Sequence, residues 1–513
     1  MIYQKAHFTG YGHNSQRSIN EMKNLQLGLY VILFSCFASG SGLLPGPACA
    51  SDRPDLATYG NLTHTEEATT DLEGTSSDSQ DNLLQQYRKD GNLYLTLDDC
   101  ICIALKQNRD IHLSNETLAQ ADAYITRARA AMLPFFGVEA SYTRLDEPIT
   151  FALGPISATF IDRDVYRGGV VVRQPVFMGG RLNAARKAAQ YTRDARVQEK
   201  QSVEEEIAFQ VSRAYHTAQV AEAFRGVAVD ALDLLKTHEH DVAILVREGA
   251  NPELDLLRTR TDLANAQKNL NAAENAVDLS LSALKNLIVV DLEEPVSLTE
   301  HLRRPPRPEQ VLLTLTSLAV SRRPELFSLR SQVKAAEQGL EAAKGEYWPT
   351  IGLEGRYEYM QGDFRDLDGG YHWTVGVGAQ VPLWNWGETA AKVRKARSQL
   401  KQVKIQFKKT VDLIRLQVRQ AFLDLGKAEK NITATESGLV TAREAYRLAT
   451  AAYQAGAGTN TEVLDARTAL SRAQANHVQA LFEYNVSLAA LQRAIGAPVI
   501  KKEQIGKKEE PVQ

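Results

Sequence analysis

Long apolar runs are missing from most of this 513-residue chain. Beyond residue 50 no stretch reaches the about 18 uninterrupted apolar residues that a membrane-spanning helix needs, so any bilayer crossing there falls to strands. Aromatic residues make up only 7%, while Ala, Leu, Gln, Glu, Lys and Arg fill the long central stretches, as in coiled-coil-rich chains. Charge of one sign is lacking too. The net charge of −3, with no domain-scale basic face, argues against a nucleic-acid partner. Cysteine is scarce: Cys36 and Cys49 fall near the N-terminus, and Cys100 and Cys102, two apart, face different sides of a helix and cannot reach disulfide geometry. They read as small buried apolar residues. No Gly-Lys-Ser/Thr follows Gly179-Gly180, so this is a strand-to-helix turn and not a phosphate loop. His238-Glu239-His240-Asp241 diverges around a helix and reads as a solvated face, not a metal site. With no catalytic constellation, the chain reads as a non-enzyme without cofactor or metal.

The N-terminal 50 residues read as an extension followed by an export signal. Met22-Lys23 opens a basic start, an apolar run extends from Leu25 to Leu44, and Ala48-Cys49-Ala50 supplies a small-residue cleavage site. A lipidation site at Leu33-Phe34-Ser35-Cys36 is the other reading of the same segment. Residues 51–90, rich in Ser, Thr, Asp, Asn and Gln, read as a flexible leader, and 498–513 as a polar tail.

Between these ends the chain repeats itself. At an offset of 215 positions (325 − 110), Asp110 falls on Glu325, Ala121 on Ala336, Arg129 on Lys344 and Pro134 on Pro349. From Pro175–Gly180 onward the offset becomes 207 (387 − 180), placing these residues on Pro382–Gly387 and Gly249-Ala250 on Gly456-Ala457. The difference predicts a longer loop around Asp146–Asp164 in the first copy. The expected organisation is a first repeat over 91–290 and a second over 305–497.

Each copy has one internal order. A helical stretch (about 97–133, and about 308–346) stops at Pro134 or Pro349. A strand pair follows over 135–177 or 350–383. In the second copy Ile351, Leu353, Tyr357 and Tyr359 alternate with Glu354, Arg356 and Glu358, predicting a sheet with one apolar and one wet face. Then come proline-free runs, Leu182 to Glu248 and Thr389 to Ala455, long enough for helices of roughly 100 Å. Turns at Gly249–Pro252 and Gly456–Asn460 lead into shorter antiparallel helices, completing hairpins over 180–288 and 387–496. The fold class is therefore mainly α with a small β part built from a duplicated unit. Four strands cannot close, and an open edge in lipid leaves backbone groups unpaired. Three chains would give a twelve-stranded barrel continued by a coiled-coil tube.

The Pro175–Gly180 and Pro382–Gly387 junctions, together with Tyr453-Gln-Ala-Gly456 and the following Val463-Leu464-Asp465-Ala466-Arg467, resemble the TolC-like outer-membrane efflux proteins, across about residues 92–497. The resemblance implies a homotrimer in the outer membrane with its helices in the periplasm. It also implies docking to a periplasmic adaptor and an inner-membrane pump, for efflux or type I secretion. A periplasmic coiled-coil adaptor or structural coiled coil is the competing class, disfavoured by two hairpins interleaved with two strand pairs.

The resemblance further implies a periplasmic gate at the second hairpin turn, with Glu462 and Asp465 on one helix face. Their first-copy counterparts are Asp255 and Arg258. Tyr453 matches a family aromatic near the constriction, with packing on its helix an equal reading, and Gly458 stands where a basic residue is expected. Thr459-x-x-Glu462 is equally a capping box, and Asn251-Pro252 a cap with proline at the first helical position, so capping and gating both stay open for Glu462, and a solvated surface role and gating for Asp465.

Overall fold

The computed structural model describes residues 84–497, except 155 and 308. The expected export signal, Cys36, residues 51–83 of the leader and the tail 498–513 lie outside the described residues. The leader ends earlier than expected. Leu84 is buried, and strand β1 (Arg88–Lys89) pairs with β2 (Asn92–Leu95), which runs parallel to β7 (Val296–Leu298).

The remaining elements in chain order are α1 (Leu97–Gln107), α2 (Arg109–Ala130), β3 (Phe135–Arg144), β4 (Ile149–Leu153), β5 (Ile156–Ile161) and β6 (Asp164–Met178). Then follow α3 (Arg181–Arg247), α4 (Glu253–Ile288), α5 (Leu312–Arg322), α6 (Pro324–Lys344), β8 (Thr350–Gln361), β9 (Gly370–Gln380), α7 (Glu388–Gln454) and α8 (Asn460–Ala494). Helices α3 and α7 both run for 67 residues. The helix preceding each strand pair is broken in two, at Asn108 and Arg323, both with extended backbone. Pro324 accounts for the second break, because proline drives its predecessor out of the helical region. At the first, Asn108 leaves the helix to cap α2 through Asp110 N–H.

The main sheet has order β3-β6-β8-β9, antiparallel throughout, with β3 and β9 at its edges. The long first-copy loop is itself structured: β4 and β5 form a separate hairpin, joined edge-to-face by Phe151 and Phe160.

Two cores hold the long helices. The first joins Cys100, Ile103, Ala104 and Ile111 to Ile207, Val211 and Tyr215 of α3 and to Leu284 and Ile288 of α4. The second joins Leu315, Ala319 and Leu326 to Ile414, Val418 and Ala421 of α7, to Leu491 of α8 and to Ile495 at its C-cap. Ile207, Val211, Leu284 and Ile288 correspond at the 207 offset to Ile414, Val418, Leu491 and Ile495, so one packing solution is used twice. Each fully buried Leu or Ile contributes about 1.5–3 kcal/mol. Cys100 is a buried core residue, and burial pushes its thiol pKa far up, so it is not a reactive thiol.

Two features fix how the copies meet. Gly179 and Gly180 both have left-handed backbone, and Gly180 caps α3. At Gly345, the end of α6, an added Cβ would lie 2.5 Å from the Gly179 carbonyl oxygen, so two backbones cross with no room for a side chain. Further along α3, Glu206 pairs with Arg493 of α8, while buried Arg323 chelates Glu325 and donates to the Ala494 carbonyl oxygen. Beside them burial, and then the charge of Glu325, raise Glu205 to about 7, against the pull of Arg323.

Gly179→Ala, which meets the Gly345 backbone, should lower stability by about 2 kcal/mol or more, and Gly180→Ala, strained but in open space, by about 1. Equal effects on the thermal unfolding of the two variants would refute the close-crossing account. Because the Glu205 pKa is raised on folding, its cost is absent below pH 4.5, grows between 4.5 and about 7, and is constant above. Discounted for its partial exposure, Glu205→Gln should stabilise the protein by about 1–2 kcal/mol at pH 8 and not at pH 4, read as the difference in melting temperature.

Candidate functional site

Two regions carry exposed chemistry: the turns of the helical hairpins and the two faces of the four-stranded sheet.

At the first turn the backbone closes on itself. Gly249, left-handed, donates to Val246, and Ala250 to Leu245. The second turn repeats this with Gly456 donating to Tyr453 and Ala457 to Ala452. Gly458 is tightly packed: a Cβ would sit 3.1–3.2 Å from Tyr453 N and Ala452, which explains glycine where a basic residue was expected. Pro252 is the N-cap residue of α4, one position before the first helical place expected for it.

Glu462 does form the capping box. Its carboxylate accepts from Thr459 N–H at 2.8 Å, and Thr459 Oγ1 accepts from Glu462 N–H at 3.3 Å. Glu462 and Asp465 are both exposed at the start of α8, as is Arg258 on α4, whereas Asp255 is half-buried. Tyr453 is not with the exposed acids. It is buried with Val242 and Val463, edge-on to His238, and its hydroxyl accepts from Asn251 Nδ2 at 2.6 Å. Burial raises its pKa, the charge of Asp255 adds to this, and the Asn251 bond opposes it.

The turns are tied together by a residue the sequence reading passed over. Asn460, buried at the first position of α8, accepts at Oδ1 from His238 Nε2 of α3 at 2.7 Å. Its Nδ2 donates to the Asp255 carbonyl oxygen at 3.2 Å and to Thr259 Oγ1 at 3.3 Å, both on α4. Asn251, His238, Thr259, Tyr453 and Asn460 therefore knit the first hairpin to the second. His238 is thus held as a helix-packing residue, while His240 is exposed. No cluster of His, Cys, Asp or Glu with metal-holding geometry occurs among the described residues.

In the sheet, register separates the faces cleanly. Phe136, Val138, Val170, Val172, Leu353, Tyr357, Trp373, Val375 and Val377 share one face, with Tyr142, Tyr166, Tyr359 and Tyr371 towards the end remote from the helices. Many of these stand exposed. The other face carries an ion lattice. Arg173 bridges Glu139 (2.7 Å) and Glu354 (3.3 Å), and Arg356 reaches Glu354 (3.0 Å), Glu139 (3.5 Å) and Glu358 (3.6 Å). Alternation had marked only the β8 part of this lattice; Arg173 and Glu139 needed the register. Pro175 sits at the bulge of β6, where Val176 is skipped, and Pro382 follows the end of β9. Gly180 and Gly387 cap the long helices with left-handed backbone.

Asn460→Ala would leave His238 Nε2 without its partner, so it should cost about 1–3 kcal/mol. The effect should be local, seen as faster amide exchange over 245–260 and 452–465, with Asn460→Asp, which keeps an acceptor for His238, intermediate. Unchanged exchange at both turns would show that the network does not couple them.

The family model described as outer membrane efflux protein matches residues 101–288 and 315–497. The outer membrane efflux protein BepC of Brucella suis is 28% identical over 250 residues, 46% of this chain and 53% of its own length. This chain therefore spans about half of that relative. The alkaline protease secretion protein AprF of Pseudomonas aeruginosa is 25% identical over 425 residues, covering 78% of this chain and 86% of its own. Among solved structures, the outer membrane protein VceC of Vibrio cholerae superposes with a TM-score of 0.68 at 20% identity, over 81% of this chain and 98% of that one. The two matched segments, the paired long hairpins and the two-faced sheet agree: this chain belongs to the outer membrane efflux protein family.

Proposed function

We propose that this chain is one protomer of a homotrimeric outer-membrane duct. Substrates delivered by an inner-membrane pump and a periplasmic adaptor pass through it in efflux or type I secretion. The observation that carries the reading is the sheet. One face is apolar with tyrosines towards one end, the opposite face is charged, and two edges, β3 and β9, flank it. In hydrocarbon each unpaired backbone group costs several kcal/mol, so the edges must meet other strands. Three chains close twelve strands, the apolar face takes the lipid, and the Arg–Glu lattice lines the lumen. With Arg167, Arg173 and Arg356 against Glu139, Glu354 and Glu358 on that face of each chain, the wall is near neutral, as suits a passive duct without a tight binding site.

The helices continue the barrel as a periplasmic tube, built from repeats 91–290 and 305–497. At its far end Glu462 and Asp465 from three chains place six carboxylates around the opening. Asp255 and Arg258 lie on the neighbouring hairpin, and Tyr453 acts from behind as the packing that sets the spacing. Like charges drawn together attract cations and resist further closure. Glu462 keeps its capping role, since one carboxylate oxygen remains available beyond the cap.

Reconstituted in a planar bilayer, the protein should conduct, and Glu462→Gln with Asp465→Asn should alter conductance and weaken block by divalent cations. Conductance and block that match the parent would remove the gate; failure of the parent to conduct would remove the duct.

A further inference from the structure

The two longest helices share one packing solution but not one charge. Between residues 389 and 411 helix α7 carries eight lysines and arginines and no acid, whereas the matching stretch of α3, 182–204, carries five bases and three acids. The first-copy bases are largely neutralised: Arg193 pairs with Asp122, Arg196 with Glu199 and Lys200 with Glu204. On α7 Lys392 reaches Glu346 and Glu388, and Lys404 reaches Glu337. Among the described residues Arg394, Lys395, Arg397, Lys401, Lys408 and Lys409 have no acidic partner, and all six are exposed.

Steps of three and four residues bring Arg394, Arg397, Lys401, Lys404 and Lys408 onto one face of α7. Asp412 interrupts the stripe and pairs with Arg415, and Arg419 resumes it one turn on. At this lower end Arg415 and Arg419 stand beside Leu312, Leu313 and Thr316 of α5. Helix α5 is a layer added against α7, so in the proposed tube the stripe is on the side turned away from the lumen.

We propose that this stripe binds the anionic cell wall, whose glycan strands are cross-linked by short peptides with free carboxylates. The proposal rests on the duct reading, since a tube of about 100 Å hanging below the outer membrane passes through that polymer. Reach decides against a lipid surface. Exposed Trp384 and Trp386 mark the membrane interface just above α7. Arg394 lies about 9 Å down the helix and Arg419 about 47 Å, whereas a headgroup layer is about 5–8 Å thick. Chemistry decides against a folded protein partner. Protein interfaces are poor in lysine and gather apolar and aromatic groups at their centre, and the stripe from Arg394 to Lys408 offers only cations. Flexible cations spread over about 38 Å suit a mobile polyanion, held through many weak and screened contacts. Three chains would present three such stripes and multiply those contacts.

The test uses the full chain in phosphatidylcholine nanodiscs and protein-free peptidoglycan sacculi, which sediment. The parent should co-sediment at about 0.1 M salt and be released at about 1 M, where the Debye length falls from about 10 Å to about 3 Å. Arg397→Gln, Lys401→Gln, Lys408→Gln and Arg419→Gln combined should weaken binding by about tenfold or more. Arg397→Lys, Lys401→Arg, Lys408→Arg and Arg419→Lys combined keep the charge and should bind as the parent does. So should a control that removes equal charge from exposed sites elsewhere, Lys106→Gln, Lys236→Gln, Lys268→Gln and Arg443→Gln. Parental binding by the glutamine stripe variant, or an equal loss in the control, overturns the stripe. A parent that adheres to phosphatidylglycerol vesicles and not to sacculi places the stripe against lipid and overturns the wall. Conductance in a planar bilayer separates the two readings. A parent that conducts without sedimenting removes the wall contact alone, and one that does not conduct removes the duct on which it rests.

Discussion

Backbone hydrogen bonding at β3 and β9 governs this molecule more than any side chain does. Inside the sheet every strand is paired along most of its length, yet its two edges bound a surface whose apolar face suits hydrocarbon. In the proposed duct water would not satisfy an edge there, so the strands would demand neighbours of their own kind. Two pairs of long helices are anchored to strands under that demand. Their placement follows from junctions at Gly180 and Gly387, where left-handed backbone lets a strand become the first turn of a 67-residue helix.

Helices of that length need lateral support, and the chain supplies it at two levels. Near mid-height, cores around Tyr215 and Ile414 clamp α3 and α7 between short helices and the returning α4 and α8. At the tips, support becomes polar: the Asn460 carboxamide spans three helices in a small buried space. Apolar cores tolerate little rearrangement, whereas a hydrogen-bonded tip can exchange partners at lower cost.

Much of this was legible in the sequence because periodicity and repetition report on long elements. The 67-residue helices, their turns and all four strands of the main sheet follow from proline-free runs, period-two alternation and the two offsets. What escaped was short or depended on distant partners. Strand β1 and buried Leu84 lie in a polar segment whose composition matches the leader, and only pairing of β1 with β2 and packing of Leu84 in the first core order them. The breaks at Asn108 and Arg323 interrupt helical patterns by a single residue. Asn460 looked like an ordinary residue of a capped turn, since neither His238 nor Thr259 is near it in sequence. For Tyr453 the resemblance leaves gate and packing both open, and only its distant neighbours Val242 and Val463 show it packed under the surface. Hairpin β4–β5 hid in a loop whose length, and not whose pattern, was visible.

That hairpin exists in one copy only. It is tethered by Leu145 N–H to the Arg163 carbonyl oxygen at 2.8 Å and by Asp162 N–H to the Gly362 carbonyl oxygen at 2.7 Å, and its strands pair only with each other. Residues beyond the tether bear no part of the main register. The rim of the proposed barrel would alternate three tall flaps with three low turns. Each flap could lengthen, shorten or change its surface over generations while the wall beneath kept its geometry. In the proposed barrel the rim would thus be the part of the fold whose changes disturb the main register least.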